Sequence, residues 1–417
     1  MKIFIPKEVV AHERRVALSP EVVKKLVDMK CAVTVESGAG LGVSITDDHF
    51  KEAGAKIVKK STDMYKGAQL ICKVQPPSVD EMKHYPRDVA LVSTLNILNQ
   101  PKDMEVYAKH KVSAFSLELI PRITRAQSMD VLSSQSNLAG YRAVIEAAHL
   151  YDKAFPMMMT AAGTVLPAKV LVVGAGVAGL QAIATARRLG AVVMGYDVRP
   201  AAKEQVESLG ATFVEVDGTE NAETAGGYAK EMGADYQRRQ EAKLKEVVGG
   251  VDIIITTALI PGRDAPKIIS EGMLKQMGQG SVVIDLAVDR GGNCFGSVRG
   301  KVADVHGVKV YGPANLPSDI GRNATELYAR NIFSLLQLIY NAEKKALVFD
   351  HGDEIVKAAL LTEKGAILRD DLLPSSVTRT AMRPVAKKSA PQKKAVPKAK
   401  TSVKKAPKKA PKKKEKK

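Results

Sequence analysis

The sequence predicts an α/β chain of two doubly wound parallel sheets followed by a disordered basic tail. Three observations carry this. Apolar runs of strand length alternate with helical patterns through both halves of residues 1–317, which places helices on both faces of parallel strands. A glycine-rich turn joins one such strand to its helix at Gly174–Gly179, and from Met382 onward little besides Lys, Ala, Pro and Ser remains. At 417 residues the chain exceeds what one hydrophobic core holds, so two domains are expected, and its 45% apolar content is ordinary for a soluble globular protein.

In the first half the strand candidates are Lys2–Ile5, Ala32–Glu36, Lys56–Val58, Ala68–Val74, Val89–Leu95 and Val112–Leu117. Ser19-Pro20-Glu21 places a cap residue before proline at the first helical position, and Thr46-Asp47-Asp48 opens a second helix. Gly38-Ala-Gly40-Leu-Gly42 lacks the spacing of a phosphate cradle and reads as a loop. Pro121 to Asn137 is dense in hydrogen-bonding side chains and lies between a strand and a long helix, Leu138 to Tyr151. It reads equally as a solvated loop with a serine cap and as a ligand loop at the carboxyl edge of a strand.

The second half centres on Ala168–Asp197. Lys169–Val173 is a strand, Gly174-Ala175-Gly176-Val177-Ala-Gly179 a tight turn opening a helix, and Ala191–Asp197 a second strand ending in a carboxylate. Gly174 permits the turn, Gly176 lets backbone approach a pyrophosphate, and Gly179 lets helix and sheet pack closely. The helix start offers N–H groups and the positive end of its dipole to phosphates. Asp197, 18 residues past Gly179, can accept from a ribose diol and repel a 2′-phosphate, which favours NAD(H) over NADP(H). This is the signature of a Rossmann dinucleotide domain. The uncharged run Val170–Ala186 is too short and glycine-rich for a membrane span.

Beyond Asp197 the pattern gives a helix near Ala201–Leu209, strands at Thr212–Val216, Val251–Leu259, Ser281–Asp285 and Val308–Tyr311, and an unusually long connection over Asp217–Gln240. An apolar helix, Asn323–Ala342, is expected to pack back onto the first domain. The division expected is a discontinuous flavodoxin-like or Rossmann-like domain (1–137 and 323–375), a Rossmann domain inserted into it (138–322), and a tail (382–417).

Charge needs to be located before it is read. Lys387–Lys417 holds 15 Lys and one Glu, so +14 of the net +18 lies there and the rest is nearly balanced. Such a tail cannot bury enough apolar surface to fold; it suits an anionic membrane surface or nucleic acid, or serves only solubility. Cys31, Cys72 and Cys294 are widely spaced and odd in number, which fits a reducing compartment, with Cys31 and Cys72 expected in strands. The seven His show no metal-ligand spacing, and the N-terminus lacks a signal peptide, so the chain is expected to be cytoplasmic and free of metal.

Three motifs together resemble one family. Met1-Lys-Ile-Phe-Ile-Pro-Lys-Glu with Arg14-Arg-Val-Ala-Leu-Ser-Pro20, the segment Pro121–Val144, and Ala168–Asp197 followed by Ala222–Met232 are similar to the NAD(H)-binding first domain of proton-translocating NAD(P) transhydrogenase, over about residues 1–373. The resemblance implies reversible hydride transfer from NADH to NADP(H) held on a partner subunit, coupled to proton translocation through a membrane subunit. It further implies a homodimer of the alpha-subunit type, held at the inner membrane through those partners. By matching motifs, Arg122, Gln127 and Asp130 are expected to position the nicotinamide and Ser133 to contact its carboxamide, with Ile123, Thr124 and Arg125 in the same binding loop. Asp197, Val198 and Arg199 match the adenosine ribose site, Gly227 and Tyr228 a loop over the nucleotide, and Gln240 and Leu259 further contacts.

Alanine dehydrogenase shares the fold and fingerprint and is the competing reading. Its amino-acid-binding Arg and Lys have counterparts in Arg15 and Lys73, but Ser93-Thr-Leu-Asn96-Ile97 has no histidine for acid/base work on an imine. A non-enzymatic NAD-binding protein with a polyanion-binding tail is the third.

Overall fold

A computed structural model describes residues 1–218, 232–260 and 262–374. Within them lie two parallel sheets. The first joins β1 (Lys2–Ile5), β2 (Ala32–Glu36), β3 (Lys56–Val58), β4 (Leu70–Cys72), β5 (Ala90–Ser93) and β6 (Ser113–Ser116) in the order β3-β2-β1-β4-β5-β6. After an exposed hairpin of β7 (Met158–Thr160) and β8 (Gly163–Val165), the second sheet joins β9 (Lys169–Val173), β10 (Val192–Tyr196), β11 (Thr212–Phe213), β12 (Ile253–Thr256), β13 (Val282–Asp285), β14 (Val302–Val305) and β15 (Val308–Tyr311). Its order is β11-β10-β9-β12-β13-β15-β14, parallel except where β14 pairs antiparallel with β15 at one edge. Both sheets thus reverse direction beside their central strand, the arrangement that opens a crevice at the carboxyl ends.

The helices begin where the cap chemistry says they should. Ser19 Oγ accepts from the Val22 N–H at 3.4 Å ahead of the Pro20–Asp28 helix, and Thr46 forms a capping box with His49. The Gly321–Ile339 helix begins and ends a few residues earlier than its periodicity suggests. Tyr328, Ala329, Ile332, Leu335 and Leu336 on it are fully buried in the core of the first sheet, so a segment following the second sheet completes the first core.

Several elements differ from the sequence reading. β4, β5 and β12 are shorter than their apolar runs, because the flanking residues turn away at the strand ends. Cys31 lies just before β2 rather than in it; all three cysteines are buried thiols. The long helix starts at Val131, not Leu138. Its first two turns are polar, and those side chains are satisfied by neighbouring elements: Ser134 Oγ donates to Asn331 Oδ1 at 2.7 Å, and Gln135 Nε2 to the Ala324 carbonyl at 3.1 Å. Gln240 sits on a helix, Ala234–Val248, rather than at the end of a loop.

Candidate active site

A cleft of about 1910 Å³ runs between the carboxyl ends of the two sheets, larger than the roughly 300–1,000 Å³ of a drug-sized pocket. Its floor is the glycine turn. Gly174 has φ +96°, a conformation side chains resist, and a Cβ there would stand 2.6 Å from Thr257 Oγ1. A Cβ on Gly179 would lie 1.7 Å from the Gly174 carbonyl oxygen, so the helix can start this close to the strand only with glycine. Gly176 differs: nothing stands within 4 Å of its missing Cβ. It is the N-cap of the Val177–Arg188 helix, and no side chain caps that end. Open space, a helix N-terminus without a side-chain acceptor, and a cleft of this size fit the pyrophosphate of a dinucleotide.

The second wall comes from the Val131–Leu150 helix. Asp130 is its N-cap: Oδ1 accepts from the Ser133 N–H at 2.9 Å, and Oδ2 from the Ser133 hydroxyl at 2.6 Å. This helix crosses the Val177–Arg188 helix so closely that a Cβ on Gly140 would meet the Ala178 carbonyl oxygen at 2.1 Å. The crossing sets Asp130 and Ser133 against the same cleft as Gly174–Val177.

Asp197, at the end of β10, is 8% exposed and heavily engaged. Oδ2 accepts from the Ala175 N–H at 2.7 Å and Arg199 Nη2 at 2.8 Å; Oδ1 accepts from the Arg199 N–H at 2.8 Å and Arg199 Nε at 2.9 Å. The opposite wall is held by residues that sequence reasoning missed. Thr257 Oγ1 donates to the Gly174 carbonyl at 3.0 Å. Asn293, fully buried, accepts from the Ala258 N–H at 3.1 Å and donates to the Ala258 and Pro266 carbonyls at 2.9 and 2.8 Å. Nothing in the pattern around Gly291-Gly-Asn293 signals that role except a polar residue between glycines.

Of the residues expected at the site, Arg122, Asp130, Ser133, Gly174, Ala175, Gly176, Val177, Asp197, Val198, Arg199, Gln240 and Leu259 line the cleft. Gly179 packs beneath it. Ile123, Thr124, Arg125 and Gln127 are not brought to it. Ile123 packs against the first core, and Thr124–Met129 is a 3-10 helix that leaves Gln127 exposed elsewhere. Arg125 is turned to Asp353, in a two-pronged pair at 2.8 and 3.1 Å, and to Glu354. Gly227 and Tyr228 lie outside the described residues. Among the described residues no cluster of His, Cys, Asp and Glu could hold a metal, and no helix is long and apolar enough to cross a membrane.

Behind the cleft, Arg15 and Lys73 are already paired. Arg15 Nε and Nη2 bind Glu13 at 2.7 and 2.6 Å, and Nη1 binds Gln135 at 2.8 Å. Lys73, fully buried, lies 2.9 Å from Glu81 and 3.3 Å from Glu8. Burial works against the Lys73 charge, but the two carboxylates outweigh it and raise its pKa, so it stays an ammonium. Burial likewise works against the Glu13 carboxylate, yet the Arg15 guanidinium holds it below the usual glutamate range.

With this geometry in place, the comparisons fall into line. Residues 4–139 match the alanine dehydrogenase/PNT N-terminal domain and residues 143–370 the C-terminal domain of the same family. The chain is 53% identical over 380 residues to an NAD(P) transhydrogenase subunit alpha of Rhodospirillum rubrum, covering 89% of this chain and 99% of that one. It belongs to the transhydrogenase alpha-subunit family. The Rickettsia prowazekii subunit is 44% identical over 88% of this chain and 96% of its own length. The crystal structure of transhydrogenase from Sinorhizobium meliloti superposes with a TM-score of 0.80 at 48% identity, covering 88% of this chain and all of that one. The alanine dehydrogenase of Staphylococcus haemolyticus is 30% identical over 78% of this chain and 83% of its own length. Both branches share the fold; the difference lies in the cleft.

Proposed function

We propose that this chain binds NAD(H) in the cleft and presents it for reversible hydride transfer to NADP(H) held on a partner subunit, as the alpha subunit of a proton-translocating, Re/Si-specific transhydrogenase. The observation that carries this is the Asp130–Ser133 cap facing the open Gly176 turn across one cleft: phosphate groups belong at the helix start, and a nicotinamide then reaches the polar cap. A bound nicotinamide supplies the hydride itself, which needs no protein acid or base. The chain's contribution is orientation and exclusion of water by Arg122, Asp130 and Ser133. Gln127, on its exposed turn, faces away from the cleft wall and is assigned to the edge where a partner would meet it.

The competing reading, an amino-acid dehydrogenase, is disfavoured by the pairing behind the cleft. A substrate carboxylate would find Arg15 held by Glu13 and Lys73 by two glutamates, and Asn96 stands on the cleft wall without acid/base chemistry. We read residues 1–137 with 323–375 as one domain and 138–322 as the second. The β7–β8 hairpin, where Met159 and Leu166 are 80% and 76% exposed, is the surface a homodimer would bury. Attachment to the cytoplasmic face of the inner membrane would come through partner subunits, with the basic tail able to touch its anionic lipids.

The test is titration of the full chain with NADH, followed by hydride transfer on adding an NADP-binding domain. Asp130→Asn keeps a good cap and is expected to cut hydride transfer far more than NADH affinity; equal losses would remove the orienting role. Alanine-dependent reduction of NAD⁺ with no partner present would overturn the assignment in favour of the dehydrogenase.

A further inference from the structure

A carboxylate offers about four lone-pair sites, and Asp197 has spent four. The backbone N–H groups of Ala175 and Arg199 take one each, and the Arg199 side chain takes the other two through Nε and Nη2, all within 2.7–2.9 Å. The two backbone donors are fixed by the turn and the strand end. The two guanidinium donors belong to a side chain that can rotate away. A ribose diol seeking this carboxylate therefore meets an occupant already in place, and a 2′-phosphate meets a carboxylate whose charge is neutralised.

We propose that Arg199 is an internal competitor for the ribose site and the second half of the nucleotide selector, set against Asp197 rather than beside it. Binding of the NAD(H) ribose displaces the two side-chain bonds and keeps the two backbone bonds. In an enzyme whose other nucleotide carries a 2′-phosphate, the pair fixes selectivity at a moderate level. Asp197 repels the phosphate only to the extent that Arg199 is displaced, and Arg199 is a guanidinium within reach of the position a 2′-phosphate would take. A simple contact role for Arg199 predicts the opposite response to its removal.

This rests on the reading that the cleft takes NAD(H), and the two can fail separately. The full chain, which has no Trp to interfere, is titrated with NADH and with NADPH by nicotinamide fluorescence, with thermal unfolding of each variant as a check on folding. No NADH binding by the unaltered chain would sink the reading of the cleft. Given binding, Arg199→Ala is expected to lower the NADH dissociation constant about fivefold, the yield of removing one exposed-type ion pair that competes, and to widen the preference over NADPH. Arg199→Lys, which cannot fork, should fall between. Asp197→Ala should narrow the preference about tenfold by releasing Arg199 to the 2′-phosphate, and Asp197→Ala/Arg199→Ala should lose that gain for NADPH. Unchanged or weaker NADH binding in Arg199→Ala, or equal NADPH binding by Asp197→Ala with and without Arg199, would overturn the proposal.

Discussion

At the carboxyl end of β1, the central strand of the first sheet, Glu8 sends Oε1 to the Val74 N–H at 2.6 Å and turns Oε2 to Lys73. At the carboxyl end of β9, the corresponding strand of the second, the chain turns at Gly174 and leaves open space around Gly176. The strand orders are the same, and both crevices face the carboxyl ends. The first is filled by the chain's own charges. The second is left to be filled. Glycines mark the contrast: a Cβ on Gly42, in the first half, would strike the Arg14 carbonyl oxygen at 2.7 Å, whereas one on Gly176 would strike nothing. A glycine kept where side chains would fit points outward, toward something that is not protein.

That comparison can be broken at its charged end first. Lys73→Met would leave Glu8 and Glu81 without a cation, and removing one partner of a buried pair costs about 3–5 kcal/mol. Urea unfolding should report that loss while folded protein keeps its NADH affinity. Next, the glycines should separate by readout. Gly42→Ala is expected to lower stability by about 1–3 kcal/mol through overpacking with nucleotide affinity unchanged. Gly176→Ala should leave the melting temperature near that of the parent and weaken NADH binding about tenfold, since the methyl group would occupy pyrophosphate space. An equal fall in melting temperature for both would erase the distinction.

The acid limb tests the plug by titration. Because Glu13 has a lower pKa folded than unfolded, its contribution is complete above its ordinary value of 4.5 and is lost as pH falls through the folded value below it. Stability should therefore drop on acidification from about pH 5 to pH 3, and Glu13→Gln should flatten that limb. The smallest effect belongs to Arg125→Ala. Its pair with Asp353 is about half exposed, so the loss should stay within about 1 kcal/mol, with NADH affinity unaltered. A large loss of affinity would return Arg125 to the binding loop.

Much of this was legible in the sequence because local rules decide it. Strand, glycine turn, helix and Asp197 follow from spacing, and the apolar face of 321–339 announced a helix with a core to cover. What the pattern hid was set by tertiary partners. Ser134, Gln135 and Asn137 read as loop residues until Asn331, the Ala324 carbonyl and Gln181 supply their bonds. Asn293 holds Ala258 across 35 residues of sequence, and no local signal carries that distance. Arg125 and Arg122 are three residues apart in one segment, yet a 3-10 turn sends them to different neighbours.

The contact between Gly140 and the Ala178 carbonyl acts as a gauge block. One helix carries Asp130 at its start, the other carries Gly176, and the thickness of a single absent methyl group fixes the span between them. A dinucleotide has a set length, so that thickness decides whether its two ends can be seated at once. A methyl group at residue 140 would lengthen the gauge without touching any ligand contact, and the reactive carbon would be presented out of register with its acceptor.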